Sequence, residues 1–585
     1  MLHRRAAAPA LPSVRPGLAV LVAALALAGA ARAAAPAPAR APHAMVASPE
    51  ENATRAGVAT LEAGGNAVDA AVATAFALAV TQPQSTGIGG GAFALVRFAD
   101  GSAFALDARE TAPRAASADM FTAPGVPDDA SLFGGLASGT PGFVVGLALA
   151  VERWGRLPLA SVLEPAIRLA EEGYAIGPYQ AEWIGRVREP LARRFPETAR
   201  IQLPPPGVPA RAGWRLVQSD LAATLRHIAR DGPRAFTHGE IAEAIAKEVA
   251  RSGGILAAAD LADYAPVLRE PVRGTYRGAE LIGFPPPSSG GVAIVEMLNV
   301  LEGFDLAELG PGSSATIHRT ADAMKLAFAD RAAQLDDPDF APVPVATLTS
   351  KEYAAALRER INPAFFRRWP WTWHRHEVAL RVDGSALARD DAGTAHLSVV
   401  DADGNAVALT STINGPYGSW VTVPGTGILL NNEMDDFVTD PDAPNLYGLV
   451  GRGDANRVAP GKRPLSSMSP TIAVRDGRVA FVAGSNGGPR IITSVLLSLL
   501  NALDFGMDVS EAVAAPRFHQ QWRPDVLDVE AAIPADVVAA LRARGHEVRV
   551  VDEISTGVEA VVVEPGSGWR AGACDPRRDG LALGL

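Results

Sequence analysis

The 585-residue sequence predicts one large, intertwined α/β (α+β) unit behind a short leader. Three observations carry this. The composition, 48% hydrophobic and 20% charged, is that of a folded chain long enough to bury a large core. No Ser/Gly-rich linker, charge block or fixed-period repeat marks a joint between independent units. Beyond the leader, β-prone runs are interspersed with apolar and amphipathic helical patterns.

The leader comes first. Arg4, Arg5 and Arg15 precede the apolar run Leu18 to Ala28 and the small-residue site Ala31-Arg32-Ala33, the pattern of a cleavable secretory signal over residues 1–33. The run is too short to span a bilayer comfortably, and Ala34 to Pro42 turns Pro/Ala-rich, so the expectation is a periplasmic or secreted protein with no stable membrane anchor. Losing four arginines and no acids moves the formal charge from −11 to −15, a poor surface for nucleic acid. The single Cys574 cannot form an intramolecular disulfide and is expected to be inert.

Asn66 to Val80 reads as a nearly all-apolar buried helix, capped by Asn66 and ended before Gln82-Pro83. The glycine-rich Gly87 to Phe98 lacks the Lys-Ser/Thr of a phosphate loop and reads as a tight turn leading into a strand, followed by a second strand, Ser102 to Asp107. Residues 140–360 carry amphipathic helical patterns, such as Leu221 to Ala229 and Ile241 to Ala250, and read as scaffold. Within them the loop PPPSSGG (Pro285 to Gly291) is only a turn signal before the apolar helix Val292 to Leu301.

The informative stretch is 393–414. Two β-prone runs, Thr394 to Val400 and Ala406 to Ile413, flank a turn rich in Asp, Gly and Asn. If the arms pair symmetrically about Asp403, Thr394 lies opposite Thr412, and two hydroxyls face each other. His396 shares the strand face of Thr394 and reads as structural. The ten histidines form no HExxH pair, and no GxSxG-type serine site with recognisable partners is present, so no metal or cofactor is expected.

Gly393-Thr394 at a strand head, NNEMDDF (431–437), RPLSSMSP (463–470), GSNGGPRI (484–491), ARETAP (108–113), PPPSSGG and the GGNAVDAAVA helix together resemble the γ-glutamyltransferase family over nearly the whole chain after the leader. The resemblance implies an N-terminal-nucleophile hydrolase fold, an αββα sandwich with two central antiparallel sheets covered by helices. It also implies self-cleavage at Gly393-Thr394 into a large chain, 34–393, and a small catalytic chain, 394–585, that stay together as a heterodimer. The freed Thr394 amine is then the base for its own hydroxyl, since an α-amine has a reference pKa of roughly 7.7 to 8.0.

The same resemblance implies the site. Thr394 is the nucleophile, oriented by Thr412, and the amides of Gly487 and Gly488 receive the oxyanion. Arg109, Ser466 and Ser467 hold the donor's α-carboxylate, while Glu433, Asp436 and Asn414 hold its ammonium. Tyr447, in a lid loop over 440–464, closes over the donor by reaching toward Asn414. Ala395 stands where relatives often carry Thr or Ser, which bears on processing rate, and Glu433 replaces a Gln. The substrates implied are glutathione and related γ-glutamyl amides, with water, amino acids or peptides as acceptors. The rivals are a cephalosporin or glutaryl acylase of the same family and a non-catalytic secreted binding protein. The run WPWTWHRH (369–376) reads as a solvated segment before the cut.

Overall fold

The computed structural model describes residues 35–362, 393–440 and 443–585; the leader and the 369–376 run lie outside them. Among these residues two seven-stranded sheets, every pairing antiparallel, form the centre. One runs, edge to edge, through Ala39–Ala41, Arg570–Cys574, Val558–Val563, Arg478–Ser485, Thr471–Arg475, Ala279–Gly283 and Val272–Tyr276. The other runs through Leu581–Gly584, Met45–Ser48, Gly393–Val400, Ala406–Asn414, Gly91–Arg97, Ala103–Ala108 and Val267–Arg269. Each sheet therefore braids strands from before and after position 393.

Strand periodicity decides what the Gly393–Val400 strand offers to each side. Ala395, Leu397 and Val399 join the apolar cluster that holds the helices Glu51–Glu62, Ala67–Thr81 and Phe143–Trp154. The alternate residues turn toward the other sheet: the His396 ring lies against Gly484, and Ser398 Oγ donates to the Glu559 carbonyl at 2.9 Å. The helices Gly290–Leu301 and Arg490–Leu503 pack with the first sheet in the second large apolar cluster. The result is helix, sheet, sheet, helix, with Thr394 on the inter-sheet face.

The helix expected at 66–80 is Ala67–Thr81, buried along its whole length. Asn66 caps it, and Asp69 bonds back to the Asn66 amide in a capping box. Its first amide is also bonded by Asp401 Oδ2 at 3.0 Å, so the turn of the hairpin is tied to this helix. The glycine-rich lead-in does what close packing demands: a Cβ on Gly90 would stand 2.0 Å from the Thr412 carbonyl oxygen. The scaffold helices appear as Ser219–Asp231, Glu240–Arg251 and Gly290–Leu301. Pro489 caps the helix Arg490–Leu503. No helix of the described residues is long and apolar enough to cross a membrane.

Candidate active site

The hairpin pairs Thr394 with Thr412, as symmetry about Asp403 requires. The register slips between Gly393 and Thr394, so Gly393 stands opposite Asn414. Thr412 Oγ1 donates to the Gly393 carbonyl at 2.7 Å, accepts the Asn414 amide at 2.8 Å, and lies 3.0 Å from Thr394 Oγ1. A hydroxyl has one hydrogen, and that of Thr412 is committed to the carbonyl. Thr394 is thus the donor in the hydroxyl pair, which aligns its oxygen beside the carbonyl that Thr412 polarises.

Gly393 is required for space. A Cβ there would meet the Gly415 oxygen at 2.2 Å and the Asn414 oxygen at 2.9 Å. Gly393→Ala should shift this bulge and slow the expected self-cleavage by at least ~10-fold, since a displacement near 1 Å at a carbonyl under attack is worth up to about a hundred-fold. The half-time of conversion from one band to two on a denaturing gel checks this.

His396, one rung further in, bonds Thr410 Oγ1 at 2.8 Å and Ser398 Oγ at 3.1 Å. Burial pushes its pKa down to about 3, so it is neutral, in keeping with a structural role. Cys574 bonds the Ser48 carbonyl at 3.3 Å, and burial raises its pKa, which leaves it an unreactive thiol.

Opposite the hairpin, Gly487 and Gly488 take φ of +114° and +57°, values open to glycine and strained for most other residues. They lead from the Arg478–Ser485 strand into Pro489 and the Arg490–Leu503 helix. Tyr447 connects this turn to the hairpin. Its ring lies against Gly488, and its hydroxyl reaches Asn414, whose main-chain oxygen and Oδ1 are both 2.7 Å away. The chain around Tyr447 is anchored by Leu446 N to Asp435 Oδ2, 2.8 Å.

Arg109 is 1% exposed and ends the Ala103–Ala108 strand. Its guanidinium bonds both acids expected for the ammonium: Nη1 to Glu433 and Nη2 to Asp436 at 2.5 Å, with Nε on the Pro464 carbonyl at 3.2 Å. Glu110, which sequence reasoning missed, stands 3.8 Å from Nη1. Burial alone would lower the Arg109 pKa, but the three carboxylates outweigh it and raise it. Burial pushes Glu433 well up despite Arg109, and Glu110 up to about 7. Both oxygens of Glu110 and Oε2 of Glu433 have no hydrogen-bond partner.

The sign of the Glu110 shift sets a pH prediction. A carboxyl raised from 4.5 to about 7 gives stability that is whole below pH 4.5 and lost as pH rises through 7. Glu110→Gln, which cannot ionise, should therefore melt above the parent at pH 8, and the gap should close as pH falls toward 4.5; melting curves across that range test it.

Ser466 and Ser467 lie beside the PPPSSGG loop. Ser289 Oγ donates to the Ser466 carbonyl at 2.7 Å, Ser466 N bonds Pro287 O, and Ser466 Oγ accepts the Met468 amide at 3.1 Å. Ser467 Oγ accepts from Arg331 Nη2 at 3.4 Å. The stretch read as scaffold thus delivers Ser289 and Arg331 to the site. Ser289 sits in a loop that reads only as a turn and Arg331 in a stretch that reads as scaffold, so neither stands out locally.

Three residues with large side chains, Asn414, Tyr417 and Trp420, take left-handed φ of 71°, 61° and 63° in the loop leaving the hairpin. Strain of this kind persists where surrounding contacts over-determine the backbone. Among the described residues, one group has metal-like spacing, His318, Asp322 and His546. There His318 Nδ1 and His546 Nε2 bond each other directly at 2.8 Å, joining two elements remote from Thr394 in sequence.

The family profile described as Gamma-glutamyltranspeptidase matches residues 53–585. The chain belongs to that family. The glutathione hydrolase proenzyme of Escherichia coli (strain K12) is 45% identical over 549 residues, covering 93% of this chain and 92% of that protein. The acylase ACY 1 proenzyme of Pseudomonas sp. (strain SE83) is 42% identical over 549 residues, with 92% and 93% covered. Among solved structures, cephalosporin acylase from Bacillus halodurans superposes with a TM-score of 0.80 at 30% identity, over 94% of this chain and 98% of that one. For a γ-glutamyltranspeptidase family member, the two central antiparallel sheets and their helical covers are the N-terminal-nucleophile hydrolase sandwich.

Proposed function

We propose that this protein is a γ-glutamyltransferase and glutathione hydrolase that matures by cutting itself before Thr394. The observation that carries the reading is the Thr394, Thr412, Gly393 arrangement: a hydroxyl oriented by a second hydroxyl that also bonds the carbonyl to be attacked. In maturation, Thr394 Oγ1 adds to the Gly393 carbonyl carbon. The C–N bond breaks with a proton passing to nitrogen, and water hydrolyses the ester to free the Gly393 carboxylate and the Thr394 amine.

The mature Thr394 then has base and nucleophile in one residue. Its amine takes the hydroxyl proton as the oxygen attacks the γ-carbonyl of the donor. Negative charge on that carbonyl oxygen is met by the Gly487 and Gly488 amides. The leaving amine, cysteinylglycine from glutathione, takes a proton and departs. Water, an amino acid or a peptide then attacks the ester. Specificity follows from charge: Arg109 with Ser466 and Ser467 faces the α-carboxylate, and Glu433, Asp436 and Asn414 face the ammonium. The unpartnered oxygens of Glu433 and Glu110 support this reading, because a buried carboxylate oxygen without a donor is costly until a cation arrives. The sequence pattern of residues 1–33 supports a periplasmic or secreted location.

The test is a gel, N-terminal sequencing and an assay. The mature protein should show two polypeptides, the smaller beginning at Thr394, and release p-nitroaniline from γ-glutamyl-p-nitroanilide; added glycylglycine separates transfer from hydrolysis. An uncut chain with full turnover would defeat the reading. The acylase relatives favour a second reading, amide hydrolysis without the ammonium requirement, and a preference for a glutaryl amide over the γ-glutamyl amide would select it.

A further inference from the structure

One helix turn and one loop, from opposite sides of position 393, bring three metal-binding side chains to a point that the proposed reaction does not use. His318 and Asp322 stand four residues apart on the helix Ser314–Gln334 and so share a face. His546 comes from the loop between the helix Ala535–Ala543 and the strand Val548–Val551. One ring nitrogen of each histidine and one oxygen of Asp322 all lie within 4.8 Å of one another, and all three residues are buried.

The hydrogens of the two rings follow from their partners. Burial, aided by Arg544, lowers the His318 pKa and pushes that of His546 down to about 3, so both rings are neutral. His318 Nε2 lies 2.7 Å from the Asn362 carbonyl, which only accepts, so that nitrogen carries the hydrogen. Nδ1 of His318 is then a lone pair, and it faces His546 Nε2 at 2.8 Å. A ring held by a carbonyl on one nitrogen and bare on the other has the arrangement of a metal-bound histidine. Asp322 supplies an independent observation. It is 9% exposed, and among the described residues no hydrogen bond or ion pair reaches its carboxylate. Lys325, on the next turn, pairs with Asp525 at 2.5 Å instead. A buried carboxylate in that state is costly unless a cation completes it.

We propose that His318 Nδ1, His546 Nε2 and the Asp322 carboxylate bind one zinc ion, with water in the fourth position. Two imidazoles and a carboxylate are a donor set that suits Zn²⁺. Zn–N bonds of about 2.0–2.1 Å in a tetrahedron set the two nitrogens about 3.3 Å apart, so the rings must part by about half an ångström. The ion displaces the hydrogen on His546 Nε2, and that ring takes one up at Nδ1 and stays neutral. The site stands apart from the γ-glutamyl reading. If the chain is cut before Thr394, the ion also ties the large product to the small one.

The experiment strips the purified protein with EDTA, dialyses it, and titrates it with zinc chloride, followed by calorimetry and by melting. The parent should take up a single equivalent with a micromolar or tighter Kd. Its Tm should rise by about 2 °C at a free zinc concentration about a hundred times Kd. Cobalt(II) in place of zinc should give the visible absorption bands of a tetrahedral site. Asp322→Asn keeps the side-chain size and the histidine pair, and His546→Gln removes a ring. Each should weaken zinc binding by at least about a hundred-fold and lose the rise in Tm, since even an outer partner of a ligand is worth roughly ten- to a hundred-fold. Asp322→Asn alone decides if His546→Gln does not fold. Uptake that appears only at millimolar zinc, or that Asp322→Asn retains at the parent's Kd, overturns the proposal.

Discussion

Thr394→Ala should yield a single uncut polypeptide whose turnover of γ-glutamyl-p-nitroanilide is lower by roughly 10⁴- to 10⁶-fold, the cost of removing a nucleophile that acts as a unit with its base. The reason is local. Thr412 would keep its bond to the Gly393 carbonyl, but the oxygen 3.0 Å from it would be gone, so neither maturation nor acyl transfer has an attacking atom. The fold should persist, because the position is one end of a strand whose ladder partners on both sides are main-chain groups. Normal melting with one band and no activity is the expected combination. Two bands from this variant would place the cut, and the nucleophile, elsewhere.

Arg109→Met should have the next largest effect, and on stability as well as activity. It leaves Glu433, Asp436 and Glu110 facing one another without the guanidinium that bridges them. Removing one member of a buried ion pair costs about 3–5 kcal/mol, because the remaining charge is stranded. In kcat/KM the same figure is roughly a hundred- to several-thousand-fold. The melting temperature should fall, and it should recover partly at low pH, where the stranded carboxyls take up protons. Arg109→Lys should rescue little, since a point charge cannot bond two carboxylates as a fork does. Melting curves at pH 5 and 8 with activity on γ-glutamyl-p-nitroanilide measure both effects, and an unchanged Tm at both pH values would remove the bridging role.

What the sequence revealed and what it concealed divide along sequence separation. The Thr394 and Thr412 pairing was legible because a compact turn fixes register by counting. The Ala67–Thr81 helix was legible because cap and apolar run are adjacent. The convergence of Arg109 with Glu433 and Asp436 spans more than 300 residues, and only the family resemblance put those residues in one site. Arg331 and Ser289 stayed hidden because their surroundings read as helix and turn, and nothing local distinguishes an arginine that faces the site from one that faces solvent. The left-handed residues Asn414, Tyr417 and Trp420 were equally invisible, because tertiary contacts, not glycine, hold those dihedrals.

If the chain is cut before Thr394 as proposed, the braiding of both sheets from strands on either side of position 393 makes the connectivity of the chain matter once and then not again. As a precursor, the strands find one another as parts of one molecule, at the high effective concentration a tether gives. Once severed, the pieces are held by ladders running through both layers, so pulling them apart and melting the protein are a single event. Refolding would then be a bimolecular encounter of two partial sheets, neither with a complete core. On the proposed cut, assembly of this architecture is a one-time act performed by the intact polypeptide.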